Sequence, residues 1–366
     1  MAKIYLWQND RFPRFEWNTD VLIAPLGEVH TLQGQLLGRM AALGFEGLAA
    51  QVEALTSEIL GSSQIEGVVL NADSVRSSVA RHLGLETAGI ERTDHYTEGV
   101  VNALMQATQA FAEPLTDERM FAWHAAFFPL GYSDGYKITV ANWRVGDAPM
   151  QVVSGPMGKQ RVHFEAPPSD VVPAMMKQFI HWVNTDDATD PIIRAAIAHL
   201  WFVTIHPFDD GNGRMARTIT ELMLARADGC SQRFYSLSAE IHRQRKAYYD
   251  ALEQAQKGTI DITPWLLWFV ETLRNAIRYS LQTTERVLQK ARFWEQHRDM
   301  EINERQRKVI NRLWDGFDGK LTTQKYAKMY HCSADTALRD IQALIAQNIL
   351  CKTGEGGRST NYELVN

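Results

Sequence analysis

Within His206-Pro207-Phe208-Asp209-Asp210-Gly211-Asn212-Gly213-Arg214-Met215-Ala216-Arg217 the chain gathers groups that suit one task. His206 can take a proton near neutral pH. Gly211 and Gly213 fall where a turn meets the start of a helix. Glycine there lets backbone N–H groups converge on an anion, and the helix dipole adds a favourable field. Arg214 and Arg217 are three apart, which puts both guanidiniums on one helix face. Two guanidiniums beside such a nest fit a polyphosphate. Asp210 is placed to hold the Mg²⁺ that a polyphosphate brings. Taken singly, these features are ordinary loop, turn and surface residues. Their convergence on one anion is what points to phosphate binding.

The elements that must position this segment follow from periodicity. An apolar run through Ile197, Leu200, Trp201 and Ile205 delivers the histidine, and spacing predicts helices over about 192–204 and 214–227. Upstream, Leu32, Leu36, Leu37, Met40 and Leu43 fall at helical spacing, and a second stretch from about Ala49 is expected to stop near Gly61. Further helices are expected from about Asn71 and across 96–128, with Thr116 capping a start. Residues 1–20 carry aromatics among polar residues and look like an irregular arm packed on a body. Between Gly131 and Pro168 the chain turns Gly- and Pro-rich, and Met150–Val153 with Arg161–Phe164 predict a hairpin around Ser154-Gly155-Pro156-Met157-Gly158. Helices follow over Val172–Asn184 and from Pro264 to about Trp294. The tail predicts three short helices, Glu304–Asp315, Thr322–Tyr330 and Ser333–Gln347, then two strands around Gly354, Gly356 and Gly357. That is the order of a winged helix.

Composition bounds the rest. The 366 residues suffice for two or three domains, with 45% hydrophobic and 22% charged residues as in ordinary globular proteins. A net charge of -5 argues against a nucleic-acid coat or an anionic membrane surface as the main partner. The 3 cysteines, Cys230, Cys332 and Cys351, are scattered and form no CxxC pair, so neither a zinc site nor a disulfide framework is expected. No apolar run of about 18 residues occurs, so no membrane partner and a cytoplasmic location are expected.

The segment at 206–217 resembles the Fic family pattern HxFx(D/E)GNGRxxR at every fixed position. The resemblance implies a mainly α protein: a helical Fic core with a β-hairpin flap, a helical N-terminal region and a C-terminal winged-helix domain. Its expected domains are 1–95, 96–295 and 300–366. It implies a protein adenylyltransferase that moves AMP from ATP onto a Tyr, Ser or Thr hydroxyl of a target protein, and onto itself, with ATP as substrate and Mg²⁺ as cofactor. By the same resemblance His206 is the base and Phe208 an apolar anchor. Asp210 holds Mg²⁺, and Gly211, Asn212 and Gly213 cradle the α- and β-phosphates. Arg214 and Arg217 meet the β- and γ-phosphates. Tyr249 and Gln256 match positions near the adenine. Ser62-Ser63-Gln64-Ile65-Glu66-Gly67 matches the family's inhibitory pattern (S/T)xxxE(G/N). Glu66, with Ser62, is then expected to occupy Arg217 by a bidentate ion pair that displaces the γ-phosphate. The hairpin resembles the family's flap, where Met150, Val152 and Val162 would help dock an extended target segment by β-augmentation.

Two other readings stay open. Fic relatives transfer other phosphate-containing groups or remove AMP from a modified protein. The winged helix could also make the chain a DNA-binding regulator. Residues 300–366 carry ten Lys/Arg against eight Asp/Glu, and the presumed recognition helix holds Asp335 and Asp340 with one Arg339. That balance favours a wing that docks a protein or forms a homodimer over one that reads DNA.

Overall fold

A computed structural model describes residues 5–43, 45–85, 93–155, 159–185, 188–298, 300–314, 317, 319–353 and 360–365. The chain divides into two compact units, Met1–Leu281 and Gln282–Asn366.

The first unit is helical around one hydrophobic core. Its elements are α1 (Asp20–Leu43), α2 (Phe45–Ile65), α3 (Ala72–His82), α4 (His95–Gln109), α5 (Asp117–Phe127), β1 (Tyr132–Ser133), β2 (Tyr136–Lys137), β3 (Gln151–Ser154), β4 (Arg161–Glu165), α6 (Val172–Asn184), α7 (Pro191–Ile205), α8 (Asn212–Asp228), α9 (Leu237–Arg243), α10 (Arg245–Gln256) and the start of α11 (Thr263–Gln296). At the centre lies α7, in which every residue from Ile192 to Ile205 is buried. A helix apolar on all sides belongs inside a domain rather than on its surface. Asp190 caps its start by accepting from the Ile192 N–H at 2.8 Å, and Pro191 occupies the first helical position, where its missing N–H costs nothing. α8 packs against α7, and the site forms at the turn between them.

α2 differs from the sequence expectation. It does not stop at Gly61 but runs on to Ile65. Gly61 is a packing residue here: a Cβ would meet the Ala239 backbone nitrogen at 2.6 Å. The glycine lets α2 lie against the start of α9, and this close approach carries the helix past the expected break. The last turn of α2, which holds Ser62, therefore belongs to a rigid helix. Thr116 caps α5 as expected, accepting from the Arg119 N–H at 3.2 Å. The aromatic arm packs on the body: Leu6 is fully buried, and Phe12 and Phe15 set their edges against Trp201 at 6.3 and 6.0 Å.

The hairpin β3–β4 is antiparallel and two-stranded, with a register shift between Val152 and Val153. Its expected turn residues Pro156, Met157 and Gly158 lie outside the described residues. In the second unit, α12 (Glu304–Trp314), α13 (Thr323–Met329) and α14 (Ala334–Ala346) precede the antiparallel pair β5 (Leu350–Thr353) and β6 (Asn361–Leu364). Val309, Ile310, Tyr326, Ile341, Leu344 and Leu350 build its core. The glycine-rich turn between the strands lies outside the described residues. Asp340 is not on the exposed face of α14: it is buried and accepts from Asn303, Arg305 and Tyr326. It therefore says nothing about the charge that face offers a partner.

Candidate active site

His206 caps the C-terminus of α7 in the left-handed region, at φ 52° and ψ 57°, and its N–H bonds the Phe202 carbonyl at 3.0 Å. Its Nδ1 lies 3.2 Å from the Val203 carbonyl. A carbonyl oxygen only accepts, so Nδ1 carries the proton and Nε2 keeps a free lone pair. Burial pushes the His206 pKa down to about 4, and Arg144 adds to this. The ring is thus a neutral acceptor across the physiological range.

The loop after it is held by its own side chains. Phe208 is fully buried and stacks on His124 with ring centres 4.1 Å apart. Asn212, expected beside the α-phosphate, uses both ends of its amide on Phe208: Oδ1 accepts from the Phe208 N–H at 3.0 Å and Nδ2 donates to its carbonyl at 2.8 Å. It orders the loop. Gly211 takes φ +80° as the cap of α8, and a Cβ there would meet Phe128 at 2.7 Å. Position 211 therefore needs glycine both for its backbone and for room. The first-turn N–H groups of α8 have no acceptor within the helix, which leaves them to face an anion. Asp210 accepts from the Gly211 N–H at 2.5 Å and pairs with Ser133, while its carbonyl takes a bond from His124 at 3.0 Å.

Both arginines lie on the buried side of α8. The Arg214 Nη1 donates to the Tyr96 hydroxyl at 2.8 Å, and its guanidinium lies over Phe128 at 4.5 Å. Arg217 is 2% exposed and meets α2. Its Nε donates to the Ser62 hydroxyl at 2.8 Å, and its Nη2 to the Ser62 carbonyl at 3.0 Å and to Glu66 Oε1 at 2.7 Å. The expected bidentate pair is a single bond to Glu66 from Nη2, which also reaches the Ser62 carbonyl, while Ser62 Oγ takes Nε. Burial disfavours the Arg217 charge, and Glu66 outweighs it. Among the described residues, Arg217 Nη1 and Arg214 Nε are buried without a hydrogen-bond partner. A pocket lined by Glu58, Ser62, Arg214 and Arg217 opens beside the pair. Gly213 sits directly under it: a Cβ there would lie 2.2 Å from Glu66 Oε1.

The residues expected near the adenine are tied to the same frame. Tyr249 donates its hydroxyl to the Ile65 carbonyl at 3.3 Å, next to Glu66. Gln256 is buried and donates to the Val203 carbonyl at 3.1 Å, the carbonyl that also orients His206. Met150 and Val152 are half-buried against the arm residues Tyr5 and Trp7 and against Phe164, and Val162 is half-buried too. Their side chains are covered in part, while the outer edge of β3 has no partner strand among the described residues.

Sequence reasoning missed three contributors. His124 carries the Phe208 ring and the Asp210 carbonyl. Arg144, 3% exposed, donates to the His206 carbonyl at 2.8 Å. Tyr96 receives Arg214. Each lies far from the loop along the chain and belongs to no motif. No group of three or more His, Cys, Asp or Glu able to hold a metal occurs among the described residues. Mg²⁺ needs less than that, since one carboxylate and phosphate oxygens commonly suffice. No helix among the described residues is long and apolar enough to cross a membrane.

The loop thus joins two buried helices and ends at two inward arginines. Residues 114–224 match the Fic/DOC family profile, so the chain carries a Fic/DOC domain, and residues 5–85 match a domain of unknown function, DUF4172. Over 124 residues the chain is 32% identical to "Protein adenylyltransferase Fic" of Drosophila mojavensis, covering 33% of this chain and 23% of that protein. It is 32% identical over 97 residues to a protein of Aquifex aeolicus called "Probable protein adenylyltransferase", covering 26% and 28%. The chain thus spans about a quarter of the length of these curated relatives. A Fic family protein from Desulfovibrio desulfuricans G20 shares the fold at TM-score 0.53 and 21% identity, over 93% of this chain and 95% of that one.

Proposed function

We propose that this chain transfers AMP from ATP to a hydroxyl of a target protein and that Glu66 holds it inactive. The observation that carries the reading is Arg217, buried at the end of the phosphate loop and already bound by Ser62 and Glu66. The α8 N-terminus and Arg214 would hold the phosphates. Asp210 would hold Mg²⁺, which neutralises phosphate charge when bound. The attacking oxygen gives its proton to His206 Nε2 and forms a bond to the α-phosphorus, and pyrophosphate leaves. Glu66 takes the guanidinium edge that the γ-phosphate would need, so ATP is held without the geometry for in-line attack. Residues 1–95 would then carry the inhibitory element and 96–295 the chemistry. Residues 300–366 would form a winged helix that docks a protein or a second copy of the chain.

The test is incubation of wild type and Glu66→Gly with ATP labelled at the α-phosphorus, with and without Arg217→Ala. Label should rise in Glu66→Gly, first on the protein itself, and vanish in the double variant. If Glu66→Gly leaves transfer unchanged but abolishes removal of AMP from a modified protein, Glu66 is a hydrolytic residue and the reverse reaction is the better reading.

A further inference from the structure

The hairpin holds a second constellation that the transfer chemistry above does not use. The Ser154 hydroxyl lies 2.5 Å from His163 Nε2, and His163 Nδ1 lies 2.7 Å from Glu253 Oε2. A carboxylate only accepts, so Nδ1 bears the proton and Nε2 is left to accept from Ser154. A hydroxyl, a base and a carboxylate that fixes the base's tautomer make the geometry of an activated nucleophile.

Three features say that this arrangement is built. First, β3 and β4 pair Val152 with Phe164 and then Val153 with Val162, so His163 is the extra residue of a bulge. Bulges re-aim a side chain, and this one turns the imidazole toward Ser154, which itself pairs with Arg161. Second, Glu253 is kept ionised. Burial pushes its carboxyl up, but bonds from Lys257, His163 and Arg161 outweigh that and bring it down to about 2. Arg161 lies at 2.9 Å and Lys257 at 2.5 Å. Arg161 already fastens the hairpin to α10, while Lys257 pairs with Glu253 from the end of α10 itself, so the serine–histidine contact is not needed for attachment. Third, Glu253 lies on α10 between Tyr249 and Gln256, and Gln256 shares the Val203 carbonyl with His206. The constellation is thus one helical turn from the frame that orients the proposed base. Ser154 is exposed, whereas His163 and Glu253 keep 26% and 20% of their side-chain surface.

We propose that Ser154 is an activated hydroxyl and the place where this chain accepts AMP itself; the acceptor role rests on the transferase reading. Ser154 Oγ bonds to the α-phosphorus of ATP, and its proton passes to His163 Nε2, which takes at this acceptor the part that His206 takes for other hydroxyls. The bond from the α-phosphorus to its bridging oxygen breaks, releasing pyrophosphate and leaving a serine–AMP phosphodiester.

The experiment has two arms on the full chain. In the first, Glu66→Gly is incubated with ATP and Mg²⁺, and modified residues are located by mass spectrometry. AMP is expected on Ser154, absent in Glu66→Gly with Ser154→Ala, and lower by ~10²-fold with His163→Ala. In the second, wild type and His163→Ala are treated with diisopropyl fluorophosphate, without nucleotide. Ser154 should be phosphorylated in the wild type and spared in the variant. AMP on other residues with Ser154 bare overturns the acceptor role. Equal or absent fluorophosphate labelling in the two proteins overturns activation. If no AMP enters any acceptor, the transferase reading fails, and the fluorophosphate arm still decides whether Ser154 is activated.

Discussion

Two buried arginines of the first unit each meet a carboxylate, and the pairs differ in how they are sealed. Arg233 is 1% exposed and meets Glu221 at 2.9 Å, with Asp228 on its other edge; the two carboxylates are 2% and 0% exposed. Arg217 is as deeply placed, but its partner Glu66 keeps 32% of its side-chain surface. Glu221 is enclosed within α8, while Glu66 follows the last turn of α2 and has water on one side. An enclosed pair cannot open without stranding charges, so it serves the fold. A pair with one wet partner can open, because the departing carboxylate is solvated as it leaves. The same chemistry is sealed in one place and open to water in the other.

The largest expected effect is on the sealed pair. Arg233→Ala should cost about 3–5 kcal/mol in urea unfolding, since Glu221 and Asp228 stay buried without their cation. Arg217→Ala should cost less, about 1–2 kcal/mol, because Glu66 can turn to water. Equal losses would erase the distinction. Glu221→Gln should not release transfer activity, whereas Glu66→Gly should.

The next effect concerns Glu58, which lies one turn before Ser62 on the same face of α2. It is buried, accepts from the Ser238 N–H and the Ser236 hydroxyl at 2.8 Å, and its pKa is pushed up to about 7 by burial and by Glu221. The folded state holds a proton that the unfolded chain releases. The resulting stability is full below about 4.5 and is lost as pH rises through 7. Thermal melts should therefore show a fall on the order of 1–3 kcal/mol between pH 5 and 8 that Glu58→Gln removes. A fall of the same size in the variant would place its origin elsewhere.

The smallest effect is a displaced pH limb. His206, pushed down to about 4, binds fewer protons folded than unfolded, so its contribution to stability is present above about 6.5 and is lost as pH falls through 4. The acid limb of transfer by Glu66→Gly should accordingly sit near 4. A limb near 6.5 would mean that the working base is a solvated histidine.

Much of the site was legible because it is local. The twelve residues from His206 to Arg217 form one turn and one helix start, and the roles proposed for them come from their spacing and from the family pattern. The helices over Val172–Asn184 and around α7 followed equally well from apolar periodicity. Gly61 misled because a glycine in a helical pattern signals either a break or a close contact, and only the neighbouring α9 decides which. Asp340 misled for a similar reason. A lone carboxylate on an amphipathic helix suggests solvent, and its partners Asn303, Arg305 and Tyr326 come from elsewhere in the second unit.

The sequence by itself determined which groups could converge on a phosphate, since short-range geometry places residues three and four apart on one helix face. It also carried the motif that pairs Ser62 with Glu66. What only the tertiary structure decided is how these groups are shared out. Ser62 takes two bonds of Arg217 and leaves Glu66 one. Asn212 orders its loop, and a bulge sets His163 over Ser154 and against Glu253, which lies 90 residues away along the chain. Such contacts depend on how helices and strands distant in sequence come together around the core. Burial there sets the free energy of each charge, and no local pattern encodes it.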